Sequence, residues 1–150
     1  MPQSFVKVFV HVIFATKNRD VTLSRDICPR LFGYIGGIIT ECGGVPVIVN
    51  GMAEHVHILM LLPSDKSISE TLRVIKSNSS KWLHEQFPSM QGFAWQSGYS
   101  AFGGSESNAE SVRQYIRDQE EHHRKKSFAE EYEAFLELHG CEQHPNDLAA

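Results

Sequence analysis

The sequence predicts an α+β domain of the ferredoxin-like type: a βαββαβ antiparallel sheet with two helices on one face, followed by two C-terminal helices. Three observations carry this. Phe5–Phe14 alternates apolar residues on a strand period; two later segments repeat apolar residues on a helical period; and between those helices lie two short apolar runs around Asn50-Gly51. The first strand places Val6, Val8, Val10, Val12 and Phe14 on one face, with Lys7 and His11 on a partly open one. The first helix shows Ile27, Leu31, Ile35, Ile38, Ile39 and Cys42 at helical spacing and ends at Gly43-Gly44.

Val45–Val49 and His55–Leu62 then form a hairpin, with its turn expected at Asn50-Gly51. Ser67-x-x-Glu70 opens the second helix, which turns Ile68, Leu72, Ile75, Trp82 and Leu83 inward. A loop around Pro88 leads to a fourth strand, Trp95–Phe102, interrupted by Gly98, with Gly103-Gly104 as a flexible joint behind it. Ser107-x-x-Glu110 opens a helix running to about His122. Ser127-x-x-Glu130 opens a last one, with Phe128, Tyr132, Phe135 and Leu136 on one side and Gly140 as its stop. The whole chain, 1–150, reads as one domain, with 105–140 as a C-terminal helical arm.

Composition narrows the class of function. At 150 residues, 41% hydrophobic and 21% charged, the chain has enough apolar mass for one core, which excludes wholesale disorder. No apolar run is long enough to span a bilayer and no signal-peptide pattern stands at the start, so no membrane role is expected. Cys28, Cys42 and Cys141 are odd in number and lack CxxC spacing, which points away from a disulfide framework and toward the cytoplasm.

The net charge of -4 conceals an asymmetry. Residues 1–126 hold all 14 basic residues against 12 acids, whereas 127–150 hold six acids and no base. A mildly basic body therefore permits a nucleic-acid surface, and the acidic stretch fits a solvated helix face.

Two residue pairs suggest chemistry. His55 and His57 stand two apart on a strand, so both imidazoles leave one sheet face and can converge on a metal. Tyr115 and Gln119 stand four apart on the first C-terminal helix, on one face, beside the docking residues Val112 and Ile116. They are either half-buried surface residues, or a nucleophilic phenol and an amide oxygen acting as third metal ligand. Tyr34 and Tyr132 fit packing roles, and Tyr99 a base-stacking or sheet-covering one. His122 and His123 diverge on a helix and fit its C-terminal cap, while Glu54, Glu120 and Glu121 fit solvated surface. Arg73, Lys76, Lys81, Arg113 and Arg117 are candidate DNA-phosphate contacts, and the polar run Ser77–Ser80 beside Lys76 and Lys81 suits the same backbone.

The segment Gly51-Met-Ala-Glu-His-Val-His-Ile-Leu59 resembles the histidine–hydrophobe–histidine motif of the single-tyrosine HUH transposases of bacterial insertion sequences. The similarity continues in order through Ile75–Trp82, Trp95–Phe102 and Val112–His123, and spans roughly Phe5 to Leu138. It implies His55, His57 and Gln119 as metal ligands and Tyr115 as the nucleophile. The implied reaction is metal-dependent cleavage and rejoining of single-stranded DNA with hairpin ends, through a 5′-phosphotyrosine intermediate, by a homodimer. In that family the tyrosine helix of one subunit can complete the site of the other, and Gly103-Gly104 would be the hinge. The implied metal is Mg²⁺ or Mn²⁺, with two imidazoles favouring manganese. Three alternatives stand beside it: a domesticated relative that processes repeated palindromes, a non-catalytic single-strand-binding module, and a small metal-dependent hydrolase.

Overall fold

In the computed structural model, which describes residues 5–141, the alternation of apolar residues and the two helical stripes sort the chain into a three-layer α/β/α arrangement. The strands are β1 (Phe9–Ala15), β2 (Val45–Met52), β3 (His55–Leu61) and β4 (Ser100–Gly104). The helices are α1 (Ile27–Glu41), α2 (Ile68–Gln86), α3 (Glu106–Arg117), α4 (Gln119–His122) and α5 (Phe128–Leu138). Sheet order is β2-β3-β1-β4 with every neighbouring pair antiparallel, the topology of the ferredoxin-like plan.

One sheet face turns Val10, Val12 and Phe14 of β1 and Val56, Ile58 and Met60 of β3 toward α1 and α2. There they meet Leu31, Ile35, Ile39, Leu72, Ile75 and Leu83, a core in which each large side chain contributes roughly 1.5–3 kcal/mol by leaving water. The opposite face carries Ile13, Ala15 and Phe102, and α5 closes over them with Phe128 and Leu136. The sheet face away from α1 and α2 is therefore covered by the chain's own last helix.

Several boundaries differ from the sequence reading. Val6 and Val8 lie before β1 and are about half exposed, although the Val8 carbonyl still accepts from the Leu62 N–H at 2.9 Å. The hairpin turn falls at Ala53-Glu54, and Asn50-Gly51 belongs to β2, where Gly51 pairs with Val56. Gly51 is needed for close approach: a Cβ there would stand 2.2 Å from the His55 carbonyl oxygen.

Strand β4 is shorter and later than expected, with Trp95 contributing only an isolated bridge to Thr16. Gly103 and Gly104 pair with Val10 and Phe9 inside the sheet, so they form no joint. Ser105, rather than Ser107, caps α3 by accepting from the Asn108 N–H. Ser67 caps α2, and the full reciprocal capping box forms at Ser127 and Glu130. The helix expected to run unbroken to His122 stops at Arg117 and restarts at Gln119, with Asp118 outside helical geometry. Tyr34 is half-exposed, stacked 4.6 Å from Trp82, rather than core. Among the described residues, no helix is long and apolar enough to cross a membrane.

Candidate active site

Strand register brings the site's first residues together. On the face that α5 covers, His57 stands opposite Ile13 of β1 and Asn50 of β2, and His55 opposite Ala15 and Met52. The Asn50 amide donates to the Ile116 and Arg117 carbonyls at 2.9 and 3.1 Å, satisfying two of the free carbonyls at the end of α3. That bond and the buried Ile116 fix α3 over β2 and β3, so that Tyr115 reaches His57, ring centroids 6.1 Å apart. Asn50→Ala is expected to cost about 1–2 kcal/mol in urea denaturation, by freeing those carbonyls.

The junction of the site is Glu131 on α5, only 2% exposed. Its Oε1 lies 2.9 Å from His57 Nε2, 3.5 Å from His55 Nε2 and 3.3 Å from His123 Nε2. Its Oε2 accepts from the Tyr115 hydroxyl and, at 3.0 Å, from the Gln119 amide. Gln119 is fully buried and turns its Oε1 to His55 Nε2 at 3.0 Å and to His123 Nε2 at 3.1 Å. Behind the two strand histidines stand further partners: Glu54 accepts from His55 Nδ1 at 2.6 Å, and His11 Nε2 lies 2.8 Å from His57 Nδ1. Phe128 stacks on His55 at 4.0 Å, and His122 on Tyr115 at 4.3 Å.

Burial sets the protonation of this cluster. It pushes His57 down to about 4, with the neighbouring His55 adding to it against the pull of Glu131. Burial likewise lowers His11 to about 3, aided by His57. The Tyr115 phenol is pushed well above its ordinary value, first by burial and then by the Glu131 carboxylate that holds its proton. For Glu131, burial favours the neutral acid, yet the bonds from His123, His57 and Tyr115 together hold it well below the usual carboxylate range. Glu54 is lowered chiefly by its bond to His55.

A pH dependence follows. In the unfolded chain His57 and His11 take protons near their ordinary 6.5, whereas in the fold they resist to about 4 and about 3. Below about pH 6.5 the unfolded state therefore binds more protons, and stability falls as acid is added. Urea denaturation in chelator should show a loss of roughly 3 kcal/mol between pH 7 and pH 4 from His57 alone.

His55, His57 and Glu131 offer ligand atoms within 4.8 Å of one another, all three residues buried. The donor chemistry fits a divalent cation: two imidazole Nε2 atoms, a carboxylate oxygen, and the Gln119 oxygen beside them. Each histidine has a partner at its other nitrogen, the arrangement that orients metal-binding imidazoles.

The family model of the IS200-like transposases matches residues 4–119. The chain belongs to that family. The ISDra2 transposase TnpA of Deinococcus radiodurans is 22% identical over 114 residues, covering 73% of this chain and 81% of that protein. A crystal structure from Deinococcus radiodurans R1 described as a transposase superposes with TM-score 0.62 at 26% identity, covering 79% of this chain and 96% of that one. A REP-associated tyrosine transposase bound to a REP hairpin shares the fold, with TM-score 0.58 at 14% identity, over 85% of this chain and 74% of that one.

Within this IS200-like transposase, one chain brings together His55, His57, Tyr115 and Gln119 from β3, α3 and α4. Sequence reasoning missed Glu131, assigned to a solvated acidic face, and His123, assigned to a helix cap. Both lie beyond the matched span. Glu131 does fall on the inward stripe of α5 with Phe128 and Tyr132, and a charged residue there is the one available signal. Glu54 supports His55 rather than water.

The candidate phosphate-contacting bases stand outside the buried cluster. Arg73 and Lys81 are exposed on α2, while Arg113 and Arg117 flank Tyr115 on α3, beside Glu110 and Asp118. Lys76 is half-buried and donates to the carbonyls of Gln96 and Gly98, which pins that loop. Ser79, in the polar run of α2, is buried and accepts from the Trp95 indole N–H.

Proposed function

We propose that this transposase cleaves and rejoins single-stranded DNA with hairpin ends, with Tyr115 as nucleophile and His55, His57, Gln119 and Glu131 as the seat of a divalent cation. The observation that carries it is the shared carboxylate: one oxygen of Glu131 faces the paired histidines while the other holds the Tyr115 hydroxyl. The nucleophile is thus fixed at the edge of the metal seat.

The phenol waits in its neutral form. As Tyr115 Oη bonds to phosphorus, its proton passes to Glu131 Oε2, and the phosphorus–O3′ bond breaks to release a 3′ hydroxyl, protonated from solvent. The chain keeps a 5′-phosphotyrosine, which conserves the bond energy for rejoining to another 3′ hydroxyl. A bound Mg²⁺ or Mn²⁺ supplies Lewis-acid polarisation of the phosphate and stabilises charge on the leaving oxygen. Two imidazoles make Mn²⁺ the tighter binder, and Glu131 adds a hard oxygen that suits either ion.

Arg73, Lys81 and Arg117, all exposed, and the half-buried Arg113 are the bases that would meet phosphates on the approach to the site. A homodimer, which the family resemblance implies, would supply two such nucleophiles, one for each end of an element. Cys28, Cys42 and Cys141, all free thiols, support the cytoplasm as the compartment.

Incubating the protein with labelled single strands that carry a hairpin, in Mg²⁺, Mn²⁺ or chelator, tests the reading. A covalent protein–DNA band that needs metal is expected. Equal yield in chelator would refute the metal role, and no band with any hairpin strand would refute the cleavage.

A further inference from the structure

Beside the candidate active site is a concavity of about 220 Å³, bordered by Arg19, Gln96, Gly98, Tyr99, Phe128 and Tyr132. It is smaller than the roughly 300–1,000 Å³ pockets that enclose drug-sized ligands, a size suited to a single ring system. Phe128 connects it to the metal seat, since the same ring that lines it stacks on His55 at 4.0 Å.

Two residues that line this concavity, Arg19 and Gln96, each keep one side-chain polar atom unsatisfied. Arg19 Nε and Gln96 Oε1 are both buried with no hydrogen-bond partner among the described residues. Such orphans cost stability and are uncommon, which marks them as groups kept for a ligand. One is a donor and the other an acceptor, so a ligand that satisfies both carries an acceptor and a donor. A nucleobase edge has that pattern, whereas a phosphate presents acceptors only.

The frame around these atoms is fixed in advance. Gln96 donates its backbone N–H to Ala15 at 2.9 Å and receives the Lys76 ammonium on its carbonyl at 2.7 Å, so its side chain springs from a pinned backbone. Arg19 sits in the left-handed region with φ 55°, following Asn18 at φ 59°, and its guanidinium lies 5.1 Å from the Phe128 ring and 5.7 Å from Tyr132. A non-glycine pair held in that conformation is uncommon and fits a built site. Tyr99, 38% exposed at the rim, offers a ring for stacking.

We infer that this concavity holds one unpaired nucleobase of the DNA strand next to the cleaved phosphate, read by Arg19 and Gln96 and stacked on Tyr99. The inference rests on the reading of the chain as a single-strand DNA enzyme. It adds a base-selecting site, distinct from the groups that perform the reaction.

The test uses fluorescent strands of roughly a dozen nucleotides, oligo-dA, oligo-dC and oligo-dT, and an abasic strand of the same length. Each is titrated with full-length protein in chelator, followed by anisotropy. Wild type should bind at least one base strand about fivefold or more tighter than the abasic strand. In Gln96→Ala and Arg19→Gln that gap should shrink to about twofold or less, and Tyr99→Ala, at an exposed position with little risk to folding, should narrow it as well.

A gap unchanged in all three folded variants overturns the inference. So does a wild type that binds the abasic strand as tightly as the best base strand, which would make the site a phosphate site or none. The covalent-adduct assay keeps the two readings apart. Adduct formation with an unaltered gap sinks the base site alone, and a narrowed gap without adduct sinks the cleavage chemistry alone.

Discussion

Replacing Tyr115 by phenylalanine should lower covalent-adduct formation by at least about a thousandfold, because the substitution removes the attacking oxygen and little else. The ring keeps its packing against His122 at 4.3 Å and Phe135 at 5.4 Å, so the helix that carries it stays docked. The lost hydroxyl leaves Glu131 Oε2 with the Gln119 amide as a remaining donor, and the fold should lose no more than about 1 kcal/mol. Binding of single-stranded DNA should change less than about threefold, since phosphate and base contacts carry that affinity. A gel assay of adduct yield beside anisotropy titration separates the two effects. Adduct at wild-type yield from Tyr115→Phe would rule out this nucleophile.

Glu131→Ala should have the next largest effect, and it should strike stability and metal together. The carboxylate receives His57, Tyr115 and Gln119 in a buried setting, with His123 close by, so its removal strands several polar groups at once. A loss of about 3 kcal/mol in urea denaturation is expected. Mn²⁺ affinity, read by electron paramagnetic resonance, should fall by about a hundredfold or more as a ligand of the seat disappears. Glu131→Gln separates the two losses: the amide keeps the shape and one acceptor, so stability recovers in part while Mn²⁺ binding stays weak. Mn²⁺ affinity within about threefold of wild type in both variants would remove Glu131 from the metal seat.

The difference between what was legible in the sequence and what was not has a physical pattern. The sheet and its two core helices follow from local periodicity, because Val10, Val12 and Phe14 alternate and Leu31, Ile35 and Ile39 recur on one helix face. The histidine pair was legible for the same reason: a strand puts His55 and His57 on one face whatever packs above it. Glu131 was not. Its role depends on α5 folding back across the sheet, a long-range placement, and its neighbours Glu130 and Glu133 are ordinary acidic residues of a helix surface.

Asn50-Gly51 misled in the opposite way. The dipeptide is a strong local turn signal, yet the Asn50 amide is engaged by α3 and Gly51 is required by the close approach of the His55 carbonyl. The break at Asp118 was hidden too, since spacing of Tyr115 and Gln119 suits one continuous helix as well as two short ones that share a site. Only the tertiary placement of α4 shows that Gln119 reaches His55 despite that break.

The most direct test of the central claim is to map where DNA is attached. The adduct formed with a hairpin-bearing single strand in Mn²⁺ is digested with nuclease and trypsin, and the peptides are read by tandem mass spectrometry. Cleavage after Arg113 and Arg117 isolates Tyr115 on its own short peptide, away from Tyr34, Tyr99 and Tyr132. The account predicts a 5′-linked nucleotide on Tyr115 and on no other tyrosine. A nucleotide on Tyr34, Tyr99 or Tyr132, with Tyr115 unmodified, would contradict it.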